Sequence, residues 1–154
     1  QPDTVRPCIA CNQLCIGGLF GPTGEPGCVV NATANQEYLH HDDLRPAATR
    51  RNVLVVGGGV AGMEAARVAA ERGHLVHLME ASSALGGVVE QAARAPRAAP
   101  LADIARWQAR ELHRLDVTVT LRKRDGHAYD FQGVGKVGEQ VAVQGRFSLE
   151  PIAG

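Results

Sequence analysis

Aromatic residues make up only 4% of this 154-residue chain, so packing has to come from small aliphatic side chains rather than a large aromatic core. Long apolar runs are lacking too. No stretch of 18 apolar residues occurs, which excludes a membrane-spanning helix. Neither charge sign is in surplus: Lys+Arg and Asp+Glu both number 16, for a formal net charge of zero. Nothing therefore suggests a nucleic-acid or acidic-membrane partner. No charged, then apolar, then small-residue leader opens the chain, so secretion is not expected. The first residue is Gln rather than Met, and the chain is expected to be processed or part of something longer. Cysteine is absent from the last 126 residues. What remains is an ordinary soluble composition, 45% hydrophobic and 21% charged, at a length that suits one domain.

The cysteines that do occur are crowded. Cys8, Cys11, Cys15 and Cys28 follow a C-x2-C-x3-C-x12-C spacing. Disulfides would require an oxidising compartment, and nothing else points to one. Zinc favours two CxxC knuckles or histidine partners, and only one CxxC is present. An iron–sulfur cluster fits better, with three close thiolates on one loop and a fourth from a later turn. Gly17, Gly18, Gly21, Gly24 and Gly27 allow the tight bends that would turn backbone N–H groups toward sulfide.

A second feature is VLVVGGGVAGMEAA, residues 53–66. The apolar run Val53–Val56 suits a buried strand. Gly57-x-Gly59-x-x-Gly62 then opens a helical pattern. Gly57 suits a tight turn, Gly59 a close pyrophosphate, and Gly62 close helix–strand packing. The amides of residues 59–62, with Val60 and Ala61 between the glycines, would face the phosphates at the positive end of the helix. The helix is expected to stop at Gly73, and a second strand over His74–Met79 leads into Glu80, 23 residues after Gly57. A carboxylate there accepts hydrogen bonds from ribose hydroxyls and repels a 2′-phosphate. The expected ligand is FAD, NAD or ADP rather than NADP. Gly86 and Gly87 follow closely. Their backbone either runs beside the nucleotide or forms a plain loop.

Pro100 is placed to start a helix over 101–115, with Leu101, Ile104, Gln108, Leu112 and Leu115 on one face and Trp107 packing beside it. Asp116–Leu121 alternates like a strand. The expected fold class is α/β: a cysteine-rich loop, then a partial Rossmann-like β-α-β-α-β parallel sheet. The expected division is 1–45 for the cysteine loop and linker, 46–122 for the nucleotide-binding half domain, and 123–154 for an irregular tail. That tail would hold at most a short hairpin, with Val141 and Val143 facing Phe147 and Leu149 across Gln144-Gly145. His40 and His41 lie in the linker and are expected to be solvated rather than ligating. No acid–base constellation is visible, so the catalytic residues are unknown.

Three stretches together, VRPCIACNQLC, CVVNATANQE and VLVVGGGVAGMEAA with MEASSALGG, carry a resemblance. Over residues 3–122 the chain resembles the iron–sulfur flavoproteins of the old yellow enzyme group, of the 2,4-dienoyl-CoA reductase and trimethylamine dehydrogenase kind. The resemblance implies a [4Fe–4S] cluster on Cys8, Cys11, Cys15 and Cys28. It implies FAD, or ADP itself, on Gly57, Gly59, Gly62 and Glu80. It also implies a flavin-bearing barrel as partner domain or subunit and electron transfer between flavins; a cytoplasmic setting is expected from the Rossmann-like segment, with nothing in the sequence suggesting export. On the residues alone, a non-catalytic ADP- or NAD-binding module with zinc on the thiols stays open as the alternative.

Overall fold

The computed structural model describes residues 5–22, 24–40 and 44–121, and the backbone of 129–137 and 140–149. The chain divides into two compact units, Gln1–Arg122 and Lys123–Gly154. The first begins with two single-turn helices, α1 (Ile16–Leu19) and α2 (Glu37–His40). It continues as β1 (Asn52–Val56), α3 (Val60–Glu71), β2 (Leu75–Glu80), α4 (Val88–Ala92), α5 (Leu101–Arg114) and β3 (Thr118–Leu121). His40 closes α2. Its side chain, and all of His41, lie outside the described residues.

The three strands pair in parallel in the order β1-β2-β3, with Val53 beside Val76 and Leu78 beside Val119. This is a partial Rossmann-like α/β sheet. α3 forms because VAGMEAARVAAE is rich in strong helix formers. It ends where Gly73 takes φ +89°, a left-handed conformation that only glycine adopts at no steric cost. The His74 amide still donates back to Ala69 of the helix, so β2 starts one residue later than expected, at Leu75. β3 likewise starts at Thr118. Asp116 is held at φ +54° in a turn, with its amide on the His113 carbonyl.

α3 and α5 pack on one face of the sheet. The core there joins Met63 and Ala66 of α3, Val76 and Leu78 of β2, Ala105 and Leu112 of α5, and Val117. The buried stripe of α5 is wider than the expected line. Ala102, Ala105, Trp107 and Glu111 are buried, while Leu101 and Leu115 at the helix ends are only partly covered. Trp107 is covered by two guanidinium groups, Arg6 at 4.5 Å and Arg67 at 5.6 Å from its ring. The opposite face of the sheet leaves Leu54, Val56 and Leu75 exposed.

The second unit differs from the irregular tail with a short hairpin expected there. Two long antiparallel strands, β4 (Tyr129–Val137) and β5 (Gln140–Leu149), pair from Tyr129↔Leu149 to Val137↔Gln140. Gln144 and Gly145, read as a turn, lie inside β5, where Gly145 faces Gly133. The error has a physical root. Glycine weakens a strand but does not break it, and Gln144-Gly145 has the composition of a turn as well. A register shift between Gly135 and Lys136 further hides the alternation.

Candidate functional site

The site lies at the carboxyl ends of β1 and β2. Gly57 leaves β1 at φ +105°, and its amide donates to the Met79 carbonyl at 2.8 Å, which fixes the turn against β2. Gly58 is closely covered by side chains: a Cβ there would stand 2.5 Å from Leu85 Cδ2, which would have to shift. Gly62 is tighter still, since its Cβ would fall 1.9 Å from the Gly57 carbonyl oxygen. Gly59 is the opposite case. It caps α3 in an ordinary extended conformation, and a Cβ built on it meets nothing within 4 Å. Open ground therefore lies over Gly59. Beside it, the amides of Val60, Ala61 and Gly62 form the first turn of α3, which has no intrahelical partner for them. No side chain of the cap residue covers them either.

Glu80 closes this loop from β2. Its Oε2 accepts from the Gly58 amide at 2.6 Å and its Oε1 from the Ser82 amide at 2.7 Å. Burial works to raise the Glu80 pKa, but the hydrogen bonds from Ser82 and Gly58 outweigh it and hold the carboxyl below its ordinary value. The Gly86–Gly87 pair is not a free loop. Gly86 bridges Gly59 in parallel, and its amide donates to the Gly58 carbonyl at 2.8 Å. A Cβ on Gly87 would sit 3.2 Å from Gly59 Cα. The structure thus brings Gly57, Gly59, Val60, Ala61, Gly62, Glu80, Gly86 and Gly87 into one cradle. Its donor set and open floor fit the pyrophosphate and ribose of an adenine dinucleotide.

Cys8, Cys11, Cys15 and Cys28 are all free thiols. Ala10 and Asn12 flank Cys11 at φ +54° and +52°, left-handed positions for residues with side chains. The Ala10 amide donates to Cys8 Sγ at 3.4 Å. α1 folds back on the return strand of the loop, and the Gly27 amide donates to the Leu14 carbonyl at 2.9 Å. Among the described residues, no three His, Cys, Asp or Glu side chains gather round one point as a single metal ion would need. A cubane asks for less convergence, because each thiolate takes a different iron. The donor set fits such a cluster.

Sequence reasoning missed the link between the cysteine segment and the cradle. Arg6 donates to Glu64 Oε1 of α3 at 2.9 Å and also to the Val30 carbonyl, and its guanidinium lies 4.5 Å over the Trp107 ring. Glu64 further accepts from Arg67, at 2.8 Å on Oε1 and 3.1 Å on Oε2, and from Gln108 Nε2 at 3.0 Å. These contacts join residues up to 58 apart, and no local spacing could have signalled them. Partial burial alone would raise the Glu64 pKa. The hydrogen bonds from Arg67 and Gln108 and the Arg67 and Arg6 charges bring it from 4.5 to about 2 instead.

Because the folded pKa is depressed, the stability Glu64 contributes is present above pH 4.5 and is lost as pH falls toward 2. Glu64→Gln should therefore melt lower than the parent at pH 7, with the gap narrowing across that acid window. Thermal unfolding followed by circular dichroism from pH 7 to 2 checks this, and a constant gap would refute it.

Residues 18–125 match the family described as pyridine nucleotide-disulphide oxidoreductase. The N,N-dimethylglycine/sarcosine dehydrogenase of Chromohalobacter salexigens is 43% identical over 130 residues, 83% of this chain and 18% of that protein. The NADH oxidase of Thermoanaerobacter brockii is 41% identical over 119 residues, 77% of this chain and 18% of that protein. Among solved structures, a 2-naphthoyl-CoA reductase in complex with 2-naphthoyl-CoA superposes with a TM-score of 0.73 at 36% identity. That alignment covers 79% of this chain and 18% of the reductase. The chain thus spans about a fifth of the length of these proteins.

Proposed function

The chain belongs to the pyridine nucleotide-disulphide oxidoreductase family, and from that premise we propose that it is the electron-transfer portion of a longer iron–sulfur flavoprotein of the old yellow enzyme group. What supports this is one juxtaposition: four free thiols on a segment hydrogen-bonded, through Arg6, to the helix that opens the nucleotide cradle. Cys8, Cys11, Cys15 and Cys28 would hold a [4Fe–4S] cluster. Gly57, Gly59, Val60, Ala61, Gly62, Glu80, Gly86 and Gly87 would hold the adenosine diphosphate half of FAD, or ADP itself.

A cluster supplies single-electron steps and a flavin two-electron ones, so the pair would let a two-electron donor feed a one-electron path. The chain's own residues bind and orient. The first-turn amides of α3 would fix the pyrophosphate, and Glu80, ionised and already anchored by two amides, would accept from the ribose. Substrate chemistry would belong to a flavin-bearing barrel domain or subunit. Leu14, Ile16, Leu19 and Phe20 of the cysteine segment are exposed, Phe20 at 82%, and they suit burial against such a partner. No helix of the described residues is long and apolar enough to cross a membrane. A cytoplasmic setting is part of the same proposal.

Anaerobic reconstitution with iron and sulfide, followed by calorimetric titration with ADP, tests the assignment. About four iron and four sulfide per chain are expected, with ADP binding to the loaded protein. Stoichiometric zinc without iron absorption would instead mark a nucleotide-binding module with a structural metal. Glu80→Gln should lower ADP affinity about tenfold, or about 1.4 kcal/mol. Gln offers one acceptor oxygen where Gly58 and Ser82 now use two, so one amide loses its partner and the anchor for the ribose turns. Unchanged affinity in the same titration would remove Glu80 from the site.

A further inference from the structure

Both ends of the cysteine segment meet on one side chain. Arg6 stands two residues before Cys8, and its Nη1 donates to the carbonyl of Val30, two residues after Cys28. The same guanidinium crosses to α3, where Nη2 donates to Glu64 Oε1 at 2.9 Å, and it lies on the Trp107 ring of α5. Glu64 passes the contact on. Gln108 Nε2 donates both to Glu64 Oε2, at 3.0 Å, and to the carbonyl of Val60, at 3.1 Å. Val60 is the first residue of α3 and sits beside the open ground over Gly59. Three side chains, Arg6, Glu64 and Gln108, therefore run from the stems of Cys8 and Cys28 to the first turn of the nucleotide helix.

We propose that Arg6 is a positioning residue that couples the two sites, so that filling the cysteine site tightens nucleotide binding at the start of α3. The coupling presupposes the cluster and ADP sites proposed above. Its physical basis is ordering. A metal centre on four thiolates fixes residues 8–28, since a loop with few buried apolar side chains has little else to order it. With that loop fixed, the Val30 carbonyl holds Arg6, and Arg6 is already in place to hold Glu64. Glu64 and Gln108 then hold the first turn of α3, and the phosphates meet amides whose ordering cost has been met. Arginine is suited to the task. Its planar fork serves Val30 and Glu64 at once while its face stacks on Trp107, which the single ammonium of lysine cannot do. Equilibrium coupling is reciprocal, so bound nucleotide must also favour the filled cysteine site.

The test compares ADP affinity of the full chain, by calorimetry, in the cluster-loaded and cluster-free forms. The loaded form should bind about fivefold tighter or more. In Arg6→Met the two forms should bind alike, with the cluster-free affinity at the parent value. Arg6→Lys should recover only part of the ratio. A merely structural Arg6 would lower both affinities together and leave the ratio standing. A measurement on the unmutated chain covers the case of a variant that does not fold: the iron retained at equilibrium against a competing chelator should rise when ADP is saturating. Equal ADP affinities with both ligands bound, or a full ratio in Arg6→Met, overturn the coupling alone. Failure of the chain to take up either cluster or ADP overturns the site assignments and the coupling with them.

Discussion

Gly62→Ala is expected to unfold the nucleotide unit, whereas Gly59→Val is expected to leave the fold standing and abolish ADP binding. The two glycines are three residues apart in one loop, yet they meet opposite surroundings. A methyl group on Gly62 would lie 1.9 Å from the Gly57 carbonyl oxygen, 3.1 Å from the Gly57 carbonyl carbon and 3.6 Å from Val55 Cγ1. The nearest two are backbone atoms, and Gly57 is pinned to Met79 across the sheet. Neither α3 nor β1 can retreat without opening the Met63–Leu78 core. Overpacking of that kind costs about 3 kcal/mol or more, a large share of the stability of a small domain. Gly59 is extended at φ −72°, ψ 175°, which any residue adopts, and a Cβ there points into open space. The Gly59→Val protein should melt only about 4–8 °C below the parent, the cost of about 1 kcal/mol for a poorer helix cap. The space a valine fills is the ground a pyrophosphate needs, so ADP affinity should fall more than about a hundredfold, or about 2.7 kcal/mol. Thermal melts and calorimetric titration of both variants decide the matter. An equal loss of stability in both, or parental ADP affinity in Gly59→Val, would contradict the division of labour.

The difference between these glycines also shows what the sequence could and could not convey. The strand–turn–helix–strand order was legible, because each element is built from contiguous residues: a β-branched run, an alanine-rich helix and a stop at Gly73. The distance from Gly57 to Glu80 was legible for the same reason. Gly86 could not be decided from spacing, because its partners Gly58 and Gly59 lie across the fold, and only the parallel bridge shows that it runs beside Gly59. The network of Arg6, Glu64, Trp107 and Gln108 was silent. Each residue alone reads as an ordinary surface charge, a helix former or a core residue. The pairing depends on where the cysteine segment folds back, which no periodicity encodes. The same holds for β4 and β5, where Gly133 pairs with Gly145 and Gly135 with Val143 rather than turning the chain.

Replacement of Cys11 by serine is expected to cost the chain its iron and to release the segment around it, while the sheet stays folded. Cys11 stands between Ala10 and Asn12, both left-handed without being glycine. Such a backbone stores strain of about 1–3 kcal/mol at each position, and it persists only where its surroundings over-determine it. Apolar packing cannot supply that constraint, since Leu14, Ile16, Leu19 and Phe20 are all exposed. The hydrogen bonds of the loop are mostly its own, as in Gly17 to Asn12 and Gly27 to Leu14. Four thiolates on one centre would supply it, and a serine hydroxyl is a poor substitute for a thiolate on iron. After anaerobic reconstitution the variant should hold less than about one iron per chain, against about four in the parent. Limited proteolysis should then cut within residues 6–30. The 52–121 sheet unit should stay protected, because its core of Met63, Ala66, Val76, Leu78, Ala105, Leu112 and Val117 contains no residue of the loop. Iron content near four in Cys11→Ser, or a segment as resistant to protease without metal as with it, would show that the loop is ordered by something other than a metal centre on these cysteines.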